Sequence, residues 1–99
     1  MWNYNYFVYI ITNKNHSVLY TGMTDDLRTR VYKHKIKFYK GFASNYNVDK
    51  LVYFERFTHA DEAVAREKQI KAGSRQKKID LINEFNPEWN DLYDTDMID

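Results

Sequence analysis

Arg30 and His34 stand four residues apart in the run DLRTRVYKH, so a helix there makes them stacked neighbours on one side. An arginine fork holds a phosphate through two parallel hydrogen bonds and stabilises the extra negative charge of a pentacovalent transition state. A histidine beside it positions or shuttles a proton near neutral pH. His34 also falls on the apolar stripe of that helix, where an imidazole bonded to backbone is the plainer use of the residue. Glu67 is the second anomaly. In the run from Ala60 to Ala72 it shares a stripe with Ala60, Ala63, Val64 and Ile70, and a carboxylate drawn to a core edge is stable only when paired or bound to a cation. Two readings stay open, an ion pair with Arg30 or Lys71, and an oxygen ligand for Mg²⁺, which takes one or two carboxylates and leaves its other positions to water and phosphate. Tyr9 and Tyr20 complete the set: in consecutive strands they can share a sheet face and offer hydroxyls to a phosphate or a water, or simply pack.

These residues need a scaffold. Tyr6 to Thr12 (YFVYIIT) reads as a strand that stops at the turn signal Asn13-Lys14-Asn15, and Ser17 to Thr21 resumes as the second arm of a hairpin. Gly22 breaks that strand and permits a close backbone approach. Thr24, Asp25 and Asp26 supply a cap and negative charge for a helix from Asp26 to Phe38, with Leu27, Val31, His34 and Phe38 on its inner stripe. Gly41 to Asn47 is loop-like, and Leu51 to Phe57 is a third strand. Thr58 to Asp61 has the form of a capping box opening a second helix, which should end at Gly73 as a left-handed residue. Ser74 caps a third helix bounded by Pro87. The order is β-β-α-β-α-α, an α+β arrangement of an antiparallel hairpin and a third strand with helices packed against them, over one domain of residues 1–92. Residues 93–99 read as an acidic, disordered tail.

Charge is distributed unevenly beneath a net of +1. Basic residues, among them Lys33, Lys37, Lys40, Lys68, Lys71 and Arg75, crowd two middle segments, while acids dominate after Lys78. Clustered cations gain most from displacing counterions along a polyanion backbone, although the same run also suits a solvated helical surface. The absence of cysteine excludes disulfides, zinc-thiolate sites and thiol nucleophiles. The apolar runs are too short to span a bilayer and the N-terminus lacks a signal-peptide pattern, which predicts a cytoplasmic protein without membrane contact.

Taken together, VYI at Val8 to Ile10, YTG at Tyr20 to Gly22, DLRTRVYKH, REKQIK at Arg66 to Lys71 and NPEW at Asn86 to Trp89 resemble the GIY-YIG nuclease superfamily. The likeness is strongest to its small bacterial single-domain branch, related to structure-specific repair endonucleases. It runs in order over nearly the whole chain, with Val8 in place of the glycine of the first motif and Thr21 in place of the isoleucine of the second. The resemblance implies a three-stranded antiparallel sheet flanked by helices, and Mg²⁺-dependent (or Mn²⁺-dependent) hydrolysis of DNA phosphodiester bonds. By that resemblance Tyr9 and Tyr20 are the motif tyrosines, Arg30 the catalytic arginine eight positions after Gly22, His34 its companion, Glu67 the metal ligand and Asn86 the asparagine that closes the site. It further implies that Arg30 and His34 lie next to Glu67. The alternative is a nucleic-acid-binding or adaptor module that keeps the fold without useful turnover. The sequence leaves RNA open as a substrate and a protein partner open as the source of specificity.

Overall fold

The computed structural model describes residues 5–41, 45–95 and Ile98. Its elements run β1 (Tyr6–Thr12), β2 (Leu19–Thr24), α1 (Leu27–Lys35), β3 (Lys50–Phe57), α2 (Ala60–Ala72) and α3 (Arg75–Phe85), followed by a 3-10 turn at Leu92–Asp94. The three strands form one antiparallel sheet in the order β2-β1-β3, the α+β arrangement expected from the sequence.

Alternation along β1 builds two apolar layers. Phe7, Tyr9 and Ile11 face Leu27 and Val31 of α1 together with Leu51, Phe54 and Leu92, whereas Val8 and Ile10 face Ala63 and Ile70 of α2 and Ile82 of α3. The β3 register slips between Ile10 and Ile11, which pair with Tyr53 and Leu51. That bulge turns the consecutive residues Val52 and Tyr53 to the α2–α3 side, as an extra residue in one strand does. Asn86 anchors the end of α3 to the sheet: buried, it donates to the carbonyls of Val52 (3.1 Å) and Asn90 (2.8 Å) and accepts from Asn90 N (3.2 Å).

Four local expectations change. Gly22 does not break β2 but lies within it, opposite Tyr9, for a reason supplied by that tyrosine and given below. Helix α1 stops at Lys35 rather than Phe38. Lys37 takes the left-handed conformation (φ 57°), and the amides of Lys37 and Phe38 return to the carbonyls of His34 (3.1 Å) and Lys33 (2.8 Å). This is a Schellman closure with lysine where glycine is usual, and it carries Phe38 off the inner stripe to 60% exposure. At the start of α2 no side chain caps the helix, so the capping box read at Thr58 to Asp61 is not made; acids at Asp61 and Glu62 in the first turn face the helix N-terminus instead. Gly73 is extended (φ −74°, ψ 162°), not left-handed, because Ser74, likewise extended, immediately caps α3 by accepting from Lys77 N.

The C-terminal segment does more than fray. Leu92 and Ile98 are buried, Asp91 accepts from Leu51 N (3.2 Å) and pairs with Lys35, and Arg28 donates to the carbonyls of Tyr93 (3.3 Å) and Ile98 (2.8 Å). Asp96, Met97 and Asp99 of the expected tail, and part of the Gly41 to Asn47 loop, lie outside the described residues.

Candidate active site

Tyr9 is at the centre of the sheet, with no exposed surface. Its ring lies across β2 over Gly22: a Cβ on that residue would stand 2.4 Å from the Tyr9 hydroxyl and 2.5 Å from the ring carbon bearing it. Glycine here is therefore a volume requirement rather than a conformational one, the close approach that marks glycine inside strands. Two residues earlier on β2, Tyr20 pairs with Ile11, which puts it on the face of Tyr9 by simple alternation. There it is more than one-third exposed.

Helix α1 brings the other two members. Asp26 caps it by accepting from Thr29 N (3.2 Å), and burial of Leu27 and Val31 fixes its rotation, so Arg30 and His34 point along the sheet toward the tyrosines. His34, buried, has its ring centroid 6.3 Å from that of Tyr9 and 5.8 Å from that of Tyr20. The Arg30 guanidinium lies close enough to the Tyr9 hydroxyl to favour its ionised form. Tyr9, Tyr20, Arg30 and His34 thus form one cluster.

A fifth residue belongs to it that sequence reasoning missed. Tyr39, in the loop after α1, stands 4.9 Å from the His34 ring and 5.5 Å from the Arg30 guanidinium. The only sequence signal was an aromatic within the basic run after His34, and its placement depends on the lysine-closed end of α1.

The electrostatics are lopsided. Burial pushes the Tyr9 hydroxyl up to about 12 even though Arg30 pulls the other way. Burial also lowers His34 below its ordinary value, and Arg30 adds to the effect. At neutral pH the cluster is therefore a protonated phenol, a neutral imidazole and a guanidinium. Among the described residues no carboxylate pairs with Arg30.

Glu67 is placed differently. Its helix, α2, packs on the opposite sheet layer from α1, chiefly against β1 and the edge strand β2 that carries Tyr20 and Gly22. Its ion-pair partner is Lys71 (3.3 Å), one helical turn on, with side-chain exposures of 20% for Glu67 and 53% for Lys71. Of the two pairings the sequence left open, Lys71 is the one made, and the helix of Glu67 lies on the sheet layer opposite the one that holds Tyr9 and α1. Among the described residues, no group of three or more His, Asp or Glu is placed to hold a metal. A lone carboxylate with an exposed, displaceable lysine still fits a cation that draws its remaining ligands from water and phosphate.

The basic residues divide into two areas. Lys33, Lys37 and Lys40 surround the end of α1, with Lys33 lying 4.9 Å over the Phe38 ring. Lys68, Lys71 and Arg75 belong to α2 and the start of α3; Arg75 also donates to the carbonyl of His16 (2.8 Å) and ties down the hairpin loop. Arg66 is engaged by Glu55 (2.9 Å) against Tyr53, a network with no counterpart in the sequence reading.

The GIY-YIG catalytic domain matches residues 5–80, so the chain belongs to the GIY-YIG family, whose catalytic domain indicates a nuclease. It is 40% identical over 83 residues to the UPF0213 protein SSP2268 of Staphylococcus saprophyticus, covering 80% of this chain and 95% of that one. It is 37% identical over 79 residues to the UPF0213 protein SH2523 of Staphylococcus haemolyticus, with the same coverages of 80% and 95%. Among solved structures it is similar to the solution structure of the UPF0213 protein BH0048 from Bacillus halodurans, with a TM-score of 0.56 and 30% identity over 88% of this chain and 92% of that one. No helix among the described residues is long and apolar enough to cross a membrane.

Proposed function

We propose that the chain is a Mg²⁺-dependent endonuclease that hydrolyses DNA phosphodiester bonds, selects DNA structure rather than base sequence, and serves DNA repair or processing. The observation that carries this reading is the convergence of Tyr9, Tyr20, Arg30 and His34 on one sheet face, with a glycine making room for the central phenol.

Arg30, free of carboxylates among the described residues, binds the non-bridging oxygens of the scissile phosphate and offsets the charge that grows there. His34, held neutral by burial, accepts a proton from the attacking water, directly or through Tyr20. Tyr9, protonated until about 12, first donates its hydrogen bond and orients the water or the phosphate. Proton transfer through Tyr9 requires that bound substrate first lower its pKa. The water oxygen forms the new bond to phosphorus, and the strand's 3′ oxygen departs with the electrons of the broken bond. Glu67 would hold the divalent cation, Mg²⁺ or Mn²⁺, which supplies positive charge to the phosphate and leaving oxygen. Asn86 bears on the site only indirectly, by holding the Val52 carbonyl of β3.

One observation favours a binding module without turnover: Glu67 already has a cationic partner in Lys71. A cleavage screen over branched, flapped, single-stranded and duplex DNA and matching RNA, titrated with Mg²⁺, separates the two. The nuclease reading requires metal-dependent product that Glu67→Ala and Arg30→Ala abolish. Salt-sensitive binding without product, or undiminished cleavage by Glu67→Ala, overturns it.

A further inference from the structure

We infer that the end of α1 and the loop after it form a stacking platform for the unpaired bases of a DNA strand, so that the strand cut at the Arg30 cluster is single-stranded on that side. The inference rests on reading that cluster as the scissile-phosphate site and names the substrate class it takes. Phe38 is 60% exposed and Tyr32, on the outer face of α1, 51%. Phe38 is not isolated. Its ring meets that of Tyr39 edge-on at 5.4 Å and 87°, and Tyr39 in turn touches both Arg30 and His34. An aromatic path therefore leads from the surface to the phosphate site.

Its charge is of one sign. Lys33 lies over the Phe38 ring, Lys37 and Lys40 are exposed on either side, and no acid occurs between Arg28 and Val48. Lysines tracking a backbone beside rings that accept bases is the combination by which proteins bind single strands without sequence preference, each stacked base contributing about 1–3 kcal/mol. Duplex DNA keeps its bases stacked inside and offers this surface only phosphates. The Schellman closure at Lys37 is what turns Phe38 outward: continued helix would have returned it to the buried stripe.

The test is binding of the full chain in EDTA, where metal-dependent cleavage is silent. The probes are a labelled DNA strand of about 16 nucleotides, the same strand with abasic spacers, its duplex, and an RNA of the same sequence. Phe38→Ala should weaken binding of the intact strand about tenfold and leave the duplex unchanged, Phe38→Trp should restore it, and the abasic strand should bind wild type as weakly as the intact strand binds Phe38→Ala. Lys37→Ala with Lys40→Ala should weaken strand and duplex alike and flatten the salt dependence. Equal losses on strand and duplex in Phe38→Ala, no loss at all, or tighter binding of RNA than of DNA would overturn the inference. Phe38-dependent strand binding by a chain that cleaves no DNA in Mg²⁺ would sink the nuclease reading alone, and cleavage indifferent to Phe38 would sink the platform alone.

Discussion

Two tyrosines on adjacent strands, Tyr9 of β1 and Tyr53 of β3, occupy opposite layers of the same sheet. Both are buried, burial raises both hydroxyls, and both lie beside an arginine. They differ in one group. Glu55 receives Tyr53 and takes the Arg66 guanidinium at 2.9 Å, while Arg66 spends a further N–H on Gln69 (2.7 Å). Arg30 has no such carboxylate among the described residues, only rings. A tyrosine–arginine pair closed by a carboxylate is a structural clasp; the same pair left open is an anion site.

The largest expected effect breaks the comparison directly. Arg30→Ala should lower cleavage by about 10²–10³-fold, the range for removing one preorganised charge donor, with little change in a urea melt because the side chain is half-buried and, among the described residues, bonded to no carboxylate. Arg66→Ala should do the reverse. Its loss strands Glu55 at a partly buried position, which destabilises by about 1–3 kcal/mol, while cleavage by the folded fraction stays near wild type. Equal activity losses in the two variants would show that the open and closed pairs are not functionally distinct.

Gly22→Ala sharpens the same contrast from the steric side. A methyl group 2.4 Å from the Tyr9 hydroxyl must displace a ring that has nowhere to go, and overpacking of this kind costs about 1–3 kcal/mol. In a Tyr9→Leu background the substitution should be nearly neutral, since residues competing for one volume are non-additive. Chemical denaturation of the four proteins checks this, and additive effects would mean that Gly22 is retained for some reason other than the tyrosine.

That dependence also explains what could be read from the chain. The strands were legible because YFVYIIT and LVYFERF carry their own β-forming pattern, and the Tyr9–Tyr20 and Arg30–His34 groupings followed from two local periods, alternation and the helical turn. Nothing local distinguishes Gly22 from a strand breaker, because its reason lies in a side chain of another strand. The lysine-closed end of α1, and with it Tyr39, was hidden because a left-handed lysine leaves no compositional mark. Glu55 with Arg66 joins β3 to α2 through tertiary packing alone. Glu67 is conspicuous on its helix, yet only the two-layer arrangement shows that this helix packs on the sheet face opposite α1.

The smallest effect concerns protons. His34 faces Arg30, Tyr9, Tyr20 and Tyr39, a setting that resists its protonation and lowers its pKa from 6.5, burial first and Arg30 second. The unfolded chain then binds more protons than the folded one as pH drops through 6.5. His34 therefore favours folding fully above that pH and loses the contribution as pH falls toward the folded value. Stability measured at a series of pH values should decline more steeply on the acid side for wild type than for His34→Gln; using the difference removes His16, whose pKa is also lowered. The acid limb of cleavage should fall in the same window, because the imidazole that must be neutral to fold best must also be neutral to accept a proton. The Tyr9 phenol, protonated until about 12, contributes nothing there. An activity profile flat through that window, alongside a stability profile that bends as described, would leave His34 a packing residue and shift the proton-accepting role to another group of the cluster.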